Sequence, residues 1–343
     1  MEFGVYTFGD IHRDPVTGTQ VDAGQRLKEL IERVKLADQV GLAYFGFGEH
    51  HRPEYAISAP ATMIAAAAGV TASIRLGSAV TVLSTEDPVR VFQQFATVDL
   101  LTGGRVELSA GRGSFIESFP LFGYDVADYD DLFEEKLELL LAINDNERVT
   151  WSGRFRPDLV DARVLPRPSG GRLDIWIATG GNAQSSARAG LIGLPVTYAI
   201  IGGQPERFAP LVDLYRQARD HGGHAGPGKV AVAGFGFIAD DDAAARDTFY
   251  PYWREGLARI SRERGFAPPT RASYDVESSF TGAIFAGSPD VVAERSVQVD
   301  DPLGADRLTL QMDLSGVPQS LVLRSIELLG TRVRPLVDEA LAG

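Results

Sequence analysis

The chain has no cysteine among its 343 residues. Disulfides, thiolate metal sites and a cysteine nucleophile are thereby excluded, while the compartment stays open on this ground alone. No run of about 18 consecutive apolar residues occurs, so no membrane span is expected. Basic residues are in deficit, with 33 Lys and Arg against 46 Asp and Glu and a formal net charge of −13. General nucleic-acid binding needs a basic footprint and is disfavoured; an anionic ligand would need a local arginine or helix N-termini. The opening MEFGVYTFGD has neither a basic leader nor a cleavage-like site, so no signal peptide is expected and a cytoplasmic protein is the plainest reading.

What is present is globular: 44% apolar and 23% charged residues. Short apolar runs predict strands over 3–8, 44–50, 75–82, 106–112, 175–180, 195–201, 230–239 and 307–313. Between them, amphipathic spacing predicts helices over 22–40, 59–72, 88–101, 132–144, 182–192, 205–221, 288–299 and 318–339. Asp87-Pro88 and Ser288-Pro289 are start signals, and Gly41, Gly103-Gly104 and Gly193 stand where helices should stop. Eight strands alternating with eight helices imply an α/β (β/α)8 TIM barrel, with a doubly wound sheet as the alternative. No linker divides the chain, so a single domain over 1–343 is expected. Its insertions, about 113–172 and 240–286, are expected on the C-terminal, catalytic face of the barrel, and 264–286 is a candidate lid.

Two of the five histidines are adjacent, in YFGFGEHHRPEY at Tyr44–Tyr55. Alternation puts Tyr44, Gly46, Gly48 and His50 on one side of the strand and Phe45, Phe47 and Glu49 on the other. Two interior-facing glycines would leave space above the core, with His50 at its mouth. Adjacent histidines diverge on a strand, which argues against a shared metal, and no His-x-His occurs. No metal site is expected. His50 is either a strand-end residue satisfied by backbone or a proton-handling group, the position and its proton affinity favouring the latter. Glu49 reads as its structural hydrogen-bond partner.

Two further strand ends are unusual. SAGRGSF puts Arg112 between glycines, and ATGGNAQSSARAG runs from Gly180-Gly181-Asn182 straight into a helix with Ser185 in its first turn. The pair would suit a phosphate, although Gly-Gly before a helix is often only a tight turn. Neither stretch is a Rossmann or Walker loop.

The segments GLAYFGFGEHHRPEY, RLGSAVTVLSTEDPVRVFQQFATVDLLTGGRVELSAGRG and IWIATGGNAQSSARAGLIGLP together resemble the bacterial luciferase-like flavin monooxygenases. The likeness runs over most of the chain. It implies the barrel fold and an oxidoreductase using reduced FMN and O2 on a small organic substrate, the flavin arriving from a separate reductase. One branch of the family uses a deazaflavin coenzyme for hydride transfer, which is the alternative.

By the same resemblance, His50 matches the family's required histidine, with Glu49 before it, and Arg112 the arginine at the flavin phosphate. Gly180, Gly181, Asn182 and Ser185 match the phosphate turn and helix start, where the luciferases carry Glu-Ser in place of Gly181-Asn182. Ala79–Val80 matches a non-proline cis peptide under the flavin ring. Tyr55, Phe115 and Phe119 would exclude water, or simply pack under loops. The family is commonly dimeric, and helix 59–72, rich in small residues, would pack on a second subunit or on its own barrel. A metal-dependent hydrolase and a non-catalytic flavin-binding protein are the readings from other classes.

Overall fold

Eight parallel strands close on themselves in a computed structural model that describes residues 1–342. They are β1 (Glu2–Thr7), β2 (Tyr44–Phe47), β3 (Arg75–Ser78), β4 (Val106–Gly111), β5 (Asp174–Thr179), β6 (Val196–Ala199), β7 (Val230–Ile238) and β8 (Arg307–Gln311). Each pairs with the next in chain order, and β8 returns to β1 with Arg307 opposite Glu2. That closing pair excludes the doubly wound alternative. All eight expected strands are barrel strands, and they are apolar because both faces of a closed parallel barrel are covered.

The helices are α1 (Ala23–Gln39), α2 (Pro60–Ala68), α3 (Pro88–Thr102), α4 (Tyr129–Asp145), α5 (Ala183–Leu191), α6 (Ala209–His221), α7 (Asp242–Arg264), α8 (Arg271–Glu277), α9 (Pro289–Leu303) and α10 (Gln319–Leu328). Their ends follow local chemistry. Before α3, Asp87 accepts the Val89 and Arg90 amides, Pro88 takes the first helical position, and Gly103 closes the helix at φ 68°. Among the described residues no helix is long and apolar enough to cross a membrane.

The lower half of the barrel interior is ionic. Arg307 donates to both Glu107 carboxylate oxygens at 2.6 and 2.9 Å, both side chains being 4% exposed. The guanidinium lies between the Tyr44 and Trp176 rings, 4.6 and 4.9 Å from their centroids. Tyr44 spans the interior and donates its hydroxyl to Ser78 O at 2.9 Å. A Cβ at Gly77 would lie 2.6 Å from that hydroxyl, so Gly77 makes room for the tyrosine.

Two features depart from the sequence reading. Ile284–Gly287, at the end of the expected 240–286 insertion and its candidate lid, is a strand pairing with Phe235–Ile238, the upper half of the nine-residue β7. Four buried residues are too few to show a period. The 151–172 excursion leaves the end of α4, not a strand tip. It forms an antiparallel hairpin, Val149–Trp151 with Leu159–Ala162, that climbs back along α4. Glu135 accepts the Arg154 and Phe155 amides at 2.7 and 2.8 Å, and Arg156 reaches Asp87 at 3.1 Å, so the hairpin tip meets the starts of α3 and α4.

Candidate active site

β2 ends at Phe47, and the next three residues build the first part of the site. Gly48 is required sterically: a Cβ there would lie 2.2 Å from the Phe8 ring. The space expected above the strand glycines is thus filled by Tyr44 and Phe8, because close-packed interiors leave no void that a neighbouring ring can reach. His50 follows, 9% exposed in its side chain, with the rings of Phe8, Tyr55 and Phe115 at 4.4, 4.6 and 4.9 Å. Its Nδ1 stands 3.7 Å from Glu117 Oε1, an ion-pair separation longer than a hydrogen bond.

Glu49 points the other way, as alternation requires. Its Oε2 accepts the Val82 amide at 3.0 Å and its Oε1 meets His51 Nε2 at 2.8 Å. The hydrogen bond to Glu49 is the largest influence on His51 and raises its pKa above the ordinary histidine value. Glu49 therefore supports His51 and Thr81–Val82, the short extension of β3 that pairs with the end of β4, not His50 as expected. The peptide bond between Ala79 and Val80 is cis. It lies between the β2 and β4 tips, with Ala79 donating its amide to Phe47 O at 2.8 Å and Val80 against Gly111.

The β4 and β5 tips hold the second part. Arg112 Nη2 donates to Ser185 Oγ at 3.2 Å, Nη1 pairs with the exposed Asp130, and the guanidinium lies 5.3 Å from the Tyr129 ring centroid. Gly181 takes φ 101°, a conformation that favours glycine, and a Cβ there would lie 2.9 Å from Phe208. A Cβ at Gly180 would meet nothing within 4 Å, so the approach to this turn is open. Asn182 caps α5, its Oδ1 accepting the Ser185 amide at 3.0 Å. The helix start is thus partly satisfied from within. An arginine, a serine hydroxyl and the first amides of α5 converge where an anion can be held. These donors fit the phosphate of a flavin mononucleotide.

A third group escaped the sequence reading. Asp10, fully buried, accepts from Gln311 Nε2 at 3.2 Å and from the Ser315 amide at 2.9 Å, with His12 Nδ1 3.3 Å away. Burial raises its pKa first of all, with Asp313 adding to the shift and His12 opposing it. His12 Nε2 lies 2.6 Å from Arg259 Nη1; guanidinium only donates, so this nitrogen accepts. The strand-tip logic that found His50 on β2 also applies to GDIH beyond β1, and would have found this pair.

The segment that reaches the His50 loop is the end of α7. Arg259 pairs with Glu54 at 2.9 Å, and Arg52 donates to Glu263 at 2.9 Å. In the proposed lid, α8 docks elsewhere: Glu277 accepts the Gly203 amide at 2.9 and 3.0 Å, past the end of β6. His51 packs on Phe122 at 5.1 Å and His224 meets Leu191 O at 2.9 Å. Phe119 stacks on Tyr129 beneath the loop after β4, while Tyr55 and Phe115 face His50.

Known proteins share this arrangement of elements. Limonene 1,2-monooxygenase of Rhodococcus erythropolis is 31% identical, the match covering 97% of this chain and 87% of that protein. The monooxygenase RslO1 of Streptomyces bottropensis superposes with a TM-score of 0.82 at 24% identity, covering 98% and 99% of the two chains. The oxygenating constituent of 3,6-diketocamphane monooxygenase from Pseudomonas putida, in complex with FMN, gives 0.79 at 21%, covering 98% of each. An F420-dependent secondary alcohol dehydrogenase gives 0.74 at 15%, again covering 98% of each. The family model of the luciferase-like monooxygenases matches residues 1–306, and with the barrel and its strand-tip residues in place the chain belongs to the luciferase-like monooxygenase family.

Proposed function

We propose that this chain is a flavin-dependent monooxygenase that takes reduced FMN and O2 and oxygenates a small organic substrate. The observation that carries the proposal is the run of four neighbouring strand tips. It leads from a nearly dry imidazole on β2, past the cis Ala79–Val80 bond, to an anion-binding corner made by Arg112, Gly180, Gly181, Asn182 and Ser185. When bound, reduced FMN would supply the electrons that activate O2. The protein's part is to bind, to orient and to manage protons. Arg112 and the α5 start would hold the phosphate, in competition with Asp130. Phe8, Tyr55 and Phe115 would keep water from His50, which would exchange a proton at its imidazole. Glu49 would fix the strand extension that carries Val80.

The FMN complex of the diketocamphane enzyme supports the choice of cofactor. A deazaflavin-dependent dehydrogenase is the second reading, supported by the F420-dependent neighbour on the same fold. Anaerobic titration with photoreduced FMN, then mixing with aerated buffer, tests the first. Saturable binding followed by O2 consumption is expected, and failure to bind reduced FMN would overturn it in favour of the deazaflavin coenzyme.

The chain would act as one domain in the cytoplasm, supplied with reduced flavin by a separate reductase. A homodimer would form on α2, whose exposed face is made of Thr62, Ala65, Ala66 and Gly69, small enough for close helix approach. Sedimentation of wild type and Ala65→Glu tests that interface, the substitution giving monomers.

A further inference from the structure

We infer that Glu117 is a positioning residue for His50: its carboxylate is the counter-charge that faces the imidazole in an otherwise apolar recess. The inference rests on the proton-handling role given to His50 above. Three aromatic rings pack around the imidazole, at 4.4 to 4.9 Å. Such surroundings disfavour a charged ring unless an anion stands close.

Among the described residues, the charged groups that face His50 have partners of their own. On its own loop, Glu49 is held by Val82 and His51, and Arg52 is held by Glu263 on α7. Tyr55 presents its ring, and beyond it Asp10 and His12 pair with each other. From α7, Arg259 is taken by His12 and Glu54. From the loop after β4, the carboxylate of Glu117 stands 3.7 Å from Nδ1, its side chain 24% exposed.

The position of Glu117 is built, not incidental. Ser118 and Phe119, the next two residues, are buried, and Phe119 stacks on Tyr129 at 5.5 Å, which pins the chain beneath Glu117. Glu117 also lines a shallow surface recess with Ile116, Pro120 and Tyr124, so its side of the pair borders open space. Although burial pushes the Glu117 carboxyl up, His50, the residue's own backbone amide and Arg52 together outweigh it and the pKa is lowered.

The test is an NMR titration of the five histidines in wild type, Glu117→Gln and Glu117→Asp, without flavin. In Glu117→Gln the His50 midpoint should move to lower pH, because the facing negative charge is gone. In Glu117→Asp, the carboxylate remains on a shorter arm and the midpoint should lie between. His51, held chiefly by Glu49 with Glu117 a lesser influence, is the internal control and should move less than His50. An unmoved His50 in Glu117→Gln, or a His51 shift equal to it, overturns the inference. The readout needs no cofactor, so it stands apart from the proposed reaction. A shift in His50 with an unchanged pH profile of oxygenation would uphold the pair and sink the catalytic role of His50.

Discussion

Glu49 and Val82 are joined across the tips of two neighbouring strands: the carboxylate takes the Val82 amide at 3.0 Å and, with its other oxygen, His51 at 2.8 Å. Glu49→Ala leaves a buried amide and an imidazole without their acceptor. A loss of about 2–4 kcal/mol is expected, read by urea unfolding. An unchanged midpoint would show that the β3 extension holds without this link.

The same pair makes stability depend on pH. His51 titrates higher in the folded protein than its ordinary 6.5, chiefly through the Glu49 hydrogen bond. Its contribution is full below the unfolded value and is lost as pH rises through the folded one. Wild type should therefore exceed His51→Gln in stability most clearly near pH 5.5, and the gap should narrow by pH 8.5. Chemical denaturation at both pH values checks this, and a gap that widens with pH contradicts it.

Arg307 and Glu107 form a bidentate pair with both side chains 4% exposed. Removing Glu107 leaves the buried Arg307 paired only with the partly exposed Glu2 at 2.9 Å, so Glu107→Ala should cost about 3 kcal/mol. Glu107→Ala with Arg307→Met should recover part of that loss. Equal unfolding midpoints for the single and double variants would refute the coupling.

If Arg112 holds the cofactor phosphate, its effect must depend on the phosphate. Arg112→Ala should weaken reduced FMN binding about 10- to 100-fold, the worth of a charge-assisted hydrogen bond, while reduced riboflavin binding changes little. Parallel anaerobic titrations measure both ligands. Equal losses for the two would place Arg112 away from the phosphate.

A methyl group at residue 48 would overlap the Phe8 ring. Gly48→Ala is expected to cost about 1–3 kcal/mol, and adding Phe8→Leu should restore part of it. Thermal melts of the two variants decide, and a Gly48→Ala chain as stable as wild type would mean that Phe8 moves freely off His50.

Much was legible from neighbours in sequence. The eight strands, the caps at Asp87 and Asn182, and the place of the cis bond all follow from local pattern or from motifs matched residue by residue. Strand-tip position then singled out His50 and Arg112, because a parallel barrel gathers all its C-terminal ends on one face. The partners were another matter. Pairing Glu117 with His50 and Arg259 with His12, and filling the space over Gly48 with Phe8, are choices among groups separated widely in the chain.

The sequence by itself determined the alternation of elements and which residues stand at their tips, since hydrogen-bonded period and capping act over a few residues. Only the tertiary structure decided which tips meet. Closure of β8 on β1, and the packing of α7 and the loop after β4 over the barrel mouth, set the distances at which one carboxylate rather than another faces the imidazole.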